Sequence, residues 1–484
     1  MEGVGRGRAR RRIFRAVGLV LVLGLVVGAV VVRLTGDAPT PPTLYDAPDS
    51  AGVPAGSVAA DPDRATDSAA VPGPVVDLAP DSVVDSAPDS ATAPAVAEPE
   101  PVYVPPTPPD GWADPAEPSP RTLDPVPDSL RVPKPDAVRG VYVGSWSAGS
   151  RRRLAELLDL PDATEINAFV VDIKDVTGEV SHRTRVPLAV QVEADRRIRI
   201  PDVAALLDSL RAHGVYPIAR VVAFKDPLLA VARPEWSVKR TDGEPWEDDN
   251  GVRWVDSFNR SVWDYNIELA REAVALGFAE VQWDYVRFPD VPGSYEVEAV
   301  YPARDGRTKT RAIREFLGYA ADRLAELGVP VTADVFGITT STNRDVGIGQ
   351  VWEAMSDQVD VLLPMVYPSH YPPDSWGYEN PNAAPYQIVK RALEDAVERS
   401  DTIPDAAAIR PWLQAFSLGE PAYGPMHIRA QIDATYDAGL SEWVLWHPAA
   451  RYTAEAFVDA NGIEPWFAGM GEALYEAGDT AGGG

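Results

Sequence analysis

The sequence predicts an α/β fold, a (β/α)8 TIM barrel, preceded by an N-terminal transmembrane helix and a disordered linker. Three observations carry that expectation. Eight strand-like runs alternate with helical patterns over about 330 residues, the count such a barrel needs. Four helical runs close on a glycine and pass at once into a strand. A long apolar run near the N-terminus lies between arginines and an acidic, proline-rich stretch.

Composition removes several functions at once. The 484 residues include no cysteine, so disulfides and thiolate metal sites are excluded. The five histidines, His182, His213, His370, His427 and His447, form no HxH or HExxH pair, which argues against a zinc hydrolase. No cofactor is expected. The net charge of −28 argues against a nucleic-acid partner, which would want a basic face.

Residues 1–15 form a basic segment expected to be cytoplasmic, with Arg6, Arg8, Arg10, Arg11, Arg12 and Arg15. Residues 16–32, Ala16 to Val32, are uninterruptedly apolar and about as long as the shortest spanning helices, roughly 17 residues. Arginine before and acidic sequence after predict a single-pass signal anchor in the cell membrane, N-terminus inside and the rest outside. A cleaved signal peptide is the rival reading. Against it, the apolar region is long and no A-x-A site follows, since Arg33-Leu34-Thr35-Gly36 comes next. Arg11-Arg12-Ile13-Phe14 faintly suggests a twin-arginine signal, but such runs are ordinary before apolar segments.

Residues 33–136 read as a disordered Pro/Asp/Ala-rich linker, extended by its prolines and by self-repulsion. Ala-Pro-Asp-Ser recurs at Ala47, Ala79 and Ala87, but no unit carries a face that could form a core. The expected job is reach, holding a domain away from the membrane. The tail, residues 468–484, is expected to be flexible.

Residues 137–467 carry the barrel pattern. The strands expected are Val138–Trp146, Ala168–Asp175, Tyr216–Asp226, Glu280–Asp290, Pro330–Thr339, Asp360–Ser369, Ile409–Phe416 and Glu442–His447. Helical patterns include Val203–Ala212, Val262–Leu276, Arg311–Leu327 and Tyr386–Arg399. Gly214, Gly277, Gly328 and Gly439 end helices just before strands, and His213 reads as a capping or surface histidine. A doubly wound sheet is the structural rival, but Gly144-Ser145-Trp146-Ser147 is not a phosphate loop.

In such a barrel the site lies at the C-terminal strand ends. There the sequence offers Trp146; Asp172, Lys174 and Asp175; Lys225 and Asp226; Asp284 and Arg287; and Asp334. Further round come Tyr367, Ser369 and His370; Trp412 and Gln414; and Trp446 and His447. Carboxylates among many aromatics, without a thiol or a G-x-S-x-G elbow, describe a sugar site: rings stack on pyranose faces and paired carboxylates work at the anomeric carbon.

Each candidate has a plainer reading. Asp284 could pair only with Arg287 or cap a loop. Asp172 and Lys174 share a side of their strand and could neutralise each other. Asp175 points the other way and reads as a loop cap through Gly178. Lys225 beside Asp226 could be a surface pair. Tyr367 opens a Pro- and Tyr-rich loop read as a sugar-binding rim rather than core. Trp146, Trp412 and Trp446 could be platforms or core filler. Trp236, Trp246 and Trp254 lie in a long insertion that could cover the cleft, and Asp256 reads as a helix N-cap.

VRGVYVGSW, FVVDIKDVTGEV, IARVVAFKDP with PEWSV following, EVQWDYVRFPD, ADVFG and DVLLPMVYPSHY resemble a bacterial family, the putative glycoside hydrolase domain of unknown function. The resemblance covers Val138 to Trp446. It implies a TIM barrel related to the α-amylase-like glycoside hydrolases. In that group an Asp ending the fourth strand is the nucleophile and an acid ends the fifth. The resemblance therefore implies Asp284 as nucleophile and Asp334 as general acid, although the usual acid there is the longer Glu. Arg287 is expected to keep Asp284 ionised. Retention requires carboxyls about 5–5.5 Å apart and inversion roughly 6.5–9.5 Å; the sequence leaves both open.

The expected function is a membrane-anchored, extracytoplasmic glycoside hydrolase acting on an envelope or extracellular polysaccharide. Asp284 and Asp334 are expected to be catalytic. Asp172, Lys174, Trp146, Lys225, Arg287, Tyr367, Trp412, Gln414, Trp446 and His447 are expected to bind the polysaccharide or oligosaccharide. A catalytically inactive glycan-binding barrel, acting as a wall-associated anchor, is the alternative. A metal-dependent deacetylase is disfavoured by the scarcity of histidine.

Overall fold

The structure is a computed structural model and describes residues 131–471. The basic segment, the expected anchor at 16–32, nearly all of the linker and most of the tail lie outside the described residues. Among the described residues no helix is long and apolar enough to cross a membrane.

Nine parallel strand segments make a closed barrel of eight positions: β1 (Arg139–Val143), β2 (Ala168–Lys174), β3 (Tyr216–Val222), β4 (Glu280–Asp284), β5 (Val331–Phe336), β6 (Val361–Met365), β7 (Ala408–Ile409), β8 (Trp412–Gln414) and β9 (Trp443–Trp446). Neighbours in sequence are neighbours in the sheet, and β9 returns to pair with β1. The seventh position is split between β7 and β8, which both pair with β6. Pro411, with no N–H to give, falls in the gap. Every observed strand stops short of the expected span. The charged and aromatic residues beyond each end, such as Tyr285–Asp290, belong to loops.

The strands are buried on both sides, as parallel barrel strands must be. Alternation sorts their side chains. Phe169, Val171, Ala219, Val221, Val281, Trp283, Ala333, Leu413 and Leu445 join the core under the helices. Val170, Tyr216, Ile218, Leu363, Trp412, Val444 and Trp446 fill the inside of the barrel. Trp283 meets Phe316 edge-on at 5.3 Å, and Trp263 closes on the same ring at 5.7 Å. Those contacts lock β4 to the helices Arg260–Leu276 and Lys309–Leu324. Truncating Phe316 to Ala would cost about 3–5 kcal/mol.

The four helix-ending glycines all take positive φ: 67° at Gly214, 121° at Gly277, 66° at Gly328 and 82° at Gly439. Glycine enters these conformations without a Cβ clash, so each helix can stop and turn into the next strand. His213 is the C-cap residue of Val203–Ala212 and pairs with Asp162 at the surface.

One expectation about the segment after β3 needs correction. Asp256 does not cap a helix: it accepts from the backbone N–H of Phe258 (2.9 Å) and of Ala303 (2.7 Å), tying two loops together. Asn259 is the cap of Arg260–Leu276 instead, accepting from Ser261 N–H. Trp246 and Trp254 are buried and donate to the Tyr295 carbonyl and Asp248.

The barrel floor is polar. Arg410, 0% exposed, reaches Glu280 at 2.6 Å and Glu442 at 2.8 Å, and Lys134 reaches Glu442 at 2.9 Å. Two cations meet two carboxylates, and the layer is charge-balanced.

Candidate active site

The same alternation that sends Val281 and Trp283 outward sends Gln282 and Asp284 inward. Register then sets the neighbours. Asp172 stands opposite Arg220, and Val222 opposite Asp284. Trp283 stands opposite Ala333, so Asp284 and Asp334 are the next step along two adjacent strands. Asp172, Arg220, Asp284 and Asp334 thus come from four consecutive strands near the C-terminal end of the barrel.

Arg220 organises this layer. Its guanidinium binds Asp284 through Nε at 2.9 Å and through a terminal nitrogen, while the other terminal nitrogen binds Asp172. The far oxygen of Asp172 accepts from the Tyr142 hydroxyl at 2.5 Å. Trp446 lies 4.0 Å from the Tyr142 ring, and Arg220 sits over it at 5.3 Å. Asp284 also accepts from the Tyr285 N–H, and Tyr285 itself has φ 48°. A bulky residue in the left-handed region is strained, and such strain gathers at functional sites.

Asp334 is bound differently. Oδ1 accepts from Trp412 Nε1 at 2.7 Å and from Gln282 Nε2 at 2.9 Å; Oδ2 lies 3.1 Å from the same amide. Among the described residues no guanidinium is ion-paired to it. Burial pushes its carboxyl well above the usual carboxylate range, and the negative charge of Asp284 pushes it further the same way. Asp172 is also raised, chiefly by burial, with Arg220 opposing. Gln350 braces the layer by accepting from Phe336 N–H and donating toward the carbonyls of Val286 and Asp334.

The other expected residues divide. Trp412 and Trp446 join the carboxylate layer, meeting edge-on at 5.6 Å. Tyr367 is buried in the inner cluster beside Phe416 rather than on an open rim, and burial raises its hydroxyl pKa. Trp146 lies half-buried on the short helix Ser145–Gly149, past the end of β1; Tyr142 is the residue of β1 that enters the site. Lys174 does not neutralise Asp172 but pairs with Asp226 at 2.7 Å, fully buried. Asp226 also caps Pro227–Ala232, so Lys225 and Asp226 are not a surface pair. Asp175 does hold its loop, accepting from Thr177 N–H and pairing with Arg199. Gln414 is committed to the loops, accepting from Ser369 N–H and donating to the Phe416 carbonyl. His447 accepts from Ala449 N–H, and burial lowers its pKa to about 4.

Arg287 is not the partner of Asp284. It donates to the Phe288 carbonyl at 2.9 Å and lies against Tyr285, Phe336 and Trp254. The cation that pairs with Asp284 is Arg220, which sequence reasoning passed over with Tyr142 and Gln282. All three are polar residues in mid-strand, in phase with inward apolar neighbours such as Ile218. That phase was the available signal. Among the described residues, no group of three or more His, Cys, Asp or Glu is placed to hold a metal ion.

A family model described as "putative glycosyl hydrolase domain" matches residues 140–452. No curated protein matches the chain. Among solved structures, a hypothetical protein from Ruminiclostridium thermocellum is similar at 38% identity, over 40% of this chain and 97% of that one, with TM-score 0.37. The glycoside hydrolase domain of PgaB from Bordetella bronchiseptica is similar at 14% identity, over 66% of this chain and 99% of that one, with TM-score 0.48. An alpha-galactosidase from Thermus thermophilus, solved with p-nitrophenyl alpha-D-galactopyranoside, is similar at 15% identity, over 67% of this chain and 61% of that one, with TM-score 0.41.

Proposed function

The chain belongs to this glycosyl hydrolase domain family, and from that premise we propose that it hydrolyses glycosidic bonds with Asp284 and Asp334 as its working pair. One observation supports the reading above others: two inward carboxylates on adjacent strands sit in opposite environments. Asp284 is ion-paired to Arg220, while among the described residues Asp334 has only neutral donors, and its pKa is raised. Carboxylates whose surroundings separate their proton affinities are how one site supplies an anion and an acid together.

In this mechanism Asp284 attacks the anomeric carbon as Asp334 passes its proton to the departing glycosidic oxygen. The C–O bond breaks as the glycosyl–Asp284 ester forms. Asp334, now a carboxylate, takes a proton from water, whose oxygen displaces Asp284. Arg220 fixes the attacking carboxylate. The two shortest contacts to Asp334 fall on Oδ1, leaving Oδ2 to carry the proton. Asp172 and Tyr142 hold Arg220 from behind, and Trp446 offers a ring beside them. The substrate class is an envelope or extracellular polysaccharide, with the barrel held outside the membrane by residues 16–32.

A glycan-binding barrel without turnover is the second reading. It is favoured by the 1% exposure of Asp334, since a general acid must reach the leaving oxygen. Incubating residues 131–471, wild type beside Asp284→Asn, with exopolysaccharides and α- and β-linked oligosaccharides separates the two. Reducing ends released by the wild type and not by a folded Asp284→Asn support hydrolysis. Equal glycan binding by both proteins, with no release from any substrate, supports the binding barrel.

A further inference from the structure

Next to the carboxylate layer is a second constellation that the mechanism does not use. Arg287 is 8% exposed, and its guanidinium carbon lies 4.8 Å from the Tyr285 ring, 4.8 Å from Phe336 and 5.2 Å from Trp254. Lys225 enters the same aromatic group, with its ammonium 5.5 Å from Tyr285 and 5.9 Å from Trp254. The four elements involved are the ends of β3, β4 and β5 and the segment after β3, all at the mouth. Phe336 is two residues beyond Asp334 on the same side of β5, and Tyr285 adjoins Asp284.

What is unusual is the chemistry left over. Among the described residues no carboxylate pairs with Arg287; its one hydrogen bond goes to the Phe288 carbonyl. A buried guanidinium ordinarily has an anionic partner, because its five donors form a planar fork suited to a carboxylate. Ring faces orient and partly stabilise the cation without consuming those in-plane donors. The fork is thus preorganised at the entrance, one residue layer above the reacting pair.

We propose that Arg287 is the receptor for the carboxylate of a hexuronic acid unit, which makes the substrate a uronate-containing glycan. This rests on the reading that the barrel mouth binds sugar, and not on turnover. Hydrogen bonds to charged groups contribute about 1.5–3 kcal/mol net, enough for tenfold or greater preference over a neutral sugar. Arg220 already pairs with Asp284 in the layer below, and screening over roughly 10 Å at ordinary salt mutes the acidic residues of the outer surface.

The test titrates the full chain with glucuronate and glucose, and with galacturonate and galactose, following binding by ligand-observed NMR and by tryptophan fluorescence. Wild type is expected to prefer a uronate about tenfold or more over its neutral partner. Arg287→Gln is expected to abolish the preference. Arg287→Lys retains the charge without the fork and keeps a smaller preference, which gives a reading should the Gln variant not fold. Asp284→Asn, which removes a nearby negative charge, keeps a preference at least as large as the wild type's, so loss of hydrolysis and loss of uronate recognition fail separately. Equal binding of uronate and neutral sugar by wild type overturns the proposal. So does an undiminished preference in both Arg287 variants, or tighter binding of glucose 6-phosphate than of glucuronate.

Discussion

The barrel holds two charged layers, and they are built to opposite rules. At the floor, Arg410 and Lys134 meet Glu280 and Glu442, so cations and carboxylates are equal in number. At the mouth, Asp172 and Asp284 share one guanidinium, Arg220, while Asp334 has no ion-pair partner among the described residues. The residue types are the same; the stoichiometry differs. A balanced, fully paired network is a structural plug, whose members have nothing left to offer. An unbalanced one retains an excess of negative charge, and burial together with the Asp284 charge raises the proton affinity of Asp334. The difference between the layers is therefore one between stability and reactivity.

Substitutions should divide along that line. The largest effect is expected on turnover: Asp284→Asn and Asp334→Asn should each lower kcat by on the order of 10²–10⁴-fold with circular dichroism unchanged. Loss of the fold in both variants would make the mouth another plug. At the floor, Arg410→Met leaves Glu280 buried without its partner and should cost about 3–5 kcal/mol in urea melts. Activity per folded molecule should stay at the wild-type level. A floor variant that remains stable but loses kcat would erase the distinction.

Little of this division was legible beforehand. The alternation of strands and helices and the four helix-ending glycines are local signals, and the barrel followed from them. Asp284 was visible because it ends β4, and Asp334 because ADVFG resembles the family's fifth-strand motif. Their partners were not. Arg220 lies in mid-strand on β3, and its pairing with Asp284 depends on β3–β4 register, which only the closed sheet fixes. Arg287, three residues along the chain from Asp284, was the natural local candidate. The left-handed turn at Tyr285 instead leads the chain into the aromatic group around Trp254. Likewise Lys174 and Asp172 are close in sequence, but a register shift between them accompanies their separate partners.

The pH dependence should expose the same contrast with a sign. The raised folded-state pKa of Asp334 gives stability that is complete below the unfolded value, about 3.9, and is lost as pH rises through the folded one. His370 and His447 act oppositely. Burial lowers both to about 4, so stability falls as pH drops from about 6.5 toward that value. Urea melts from pH 4 to 9 should thus show Asp334→Asn gaining on the wild type as pH rises. The gain above the raised pKa should be roughly 0.5–2 kcal/mol, the range for relieving a compromised functional position. A difference that does not vary with pH would mean that Asp334 carries no special proton.

The most direct measurement is a carboxyl ¹³C NMR titration of Asp334 in the wild type and in Asp284→Asn. The account predicts titration well above the usual aspartate range in the wild type, and a lower midpoint once the neighbouring charge is removed. An Asp334 that titrates in the ordinary range, or one unmoved by Asp284→Asn, would contradict the claim that the unbalanced layer is the source of the acid.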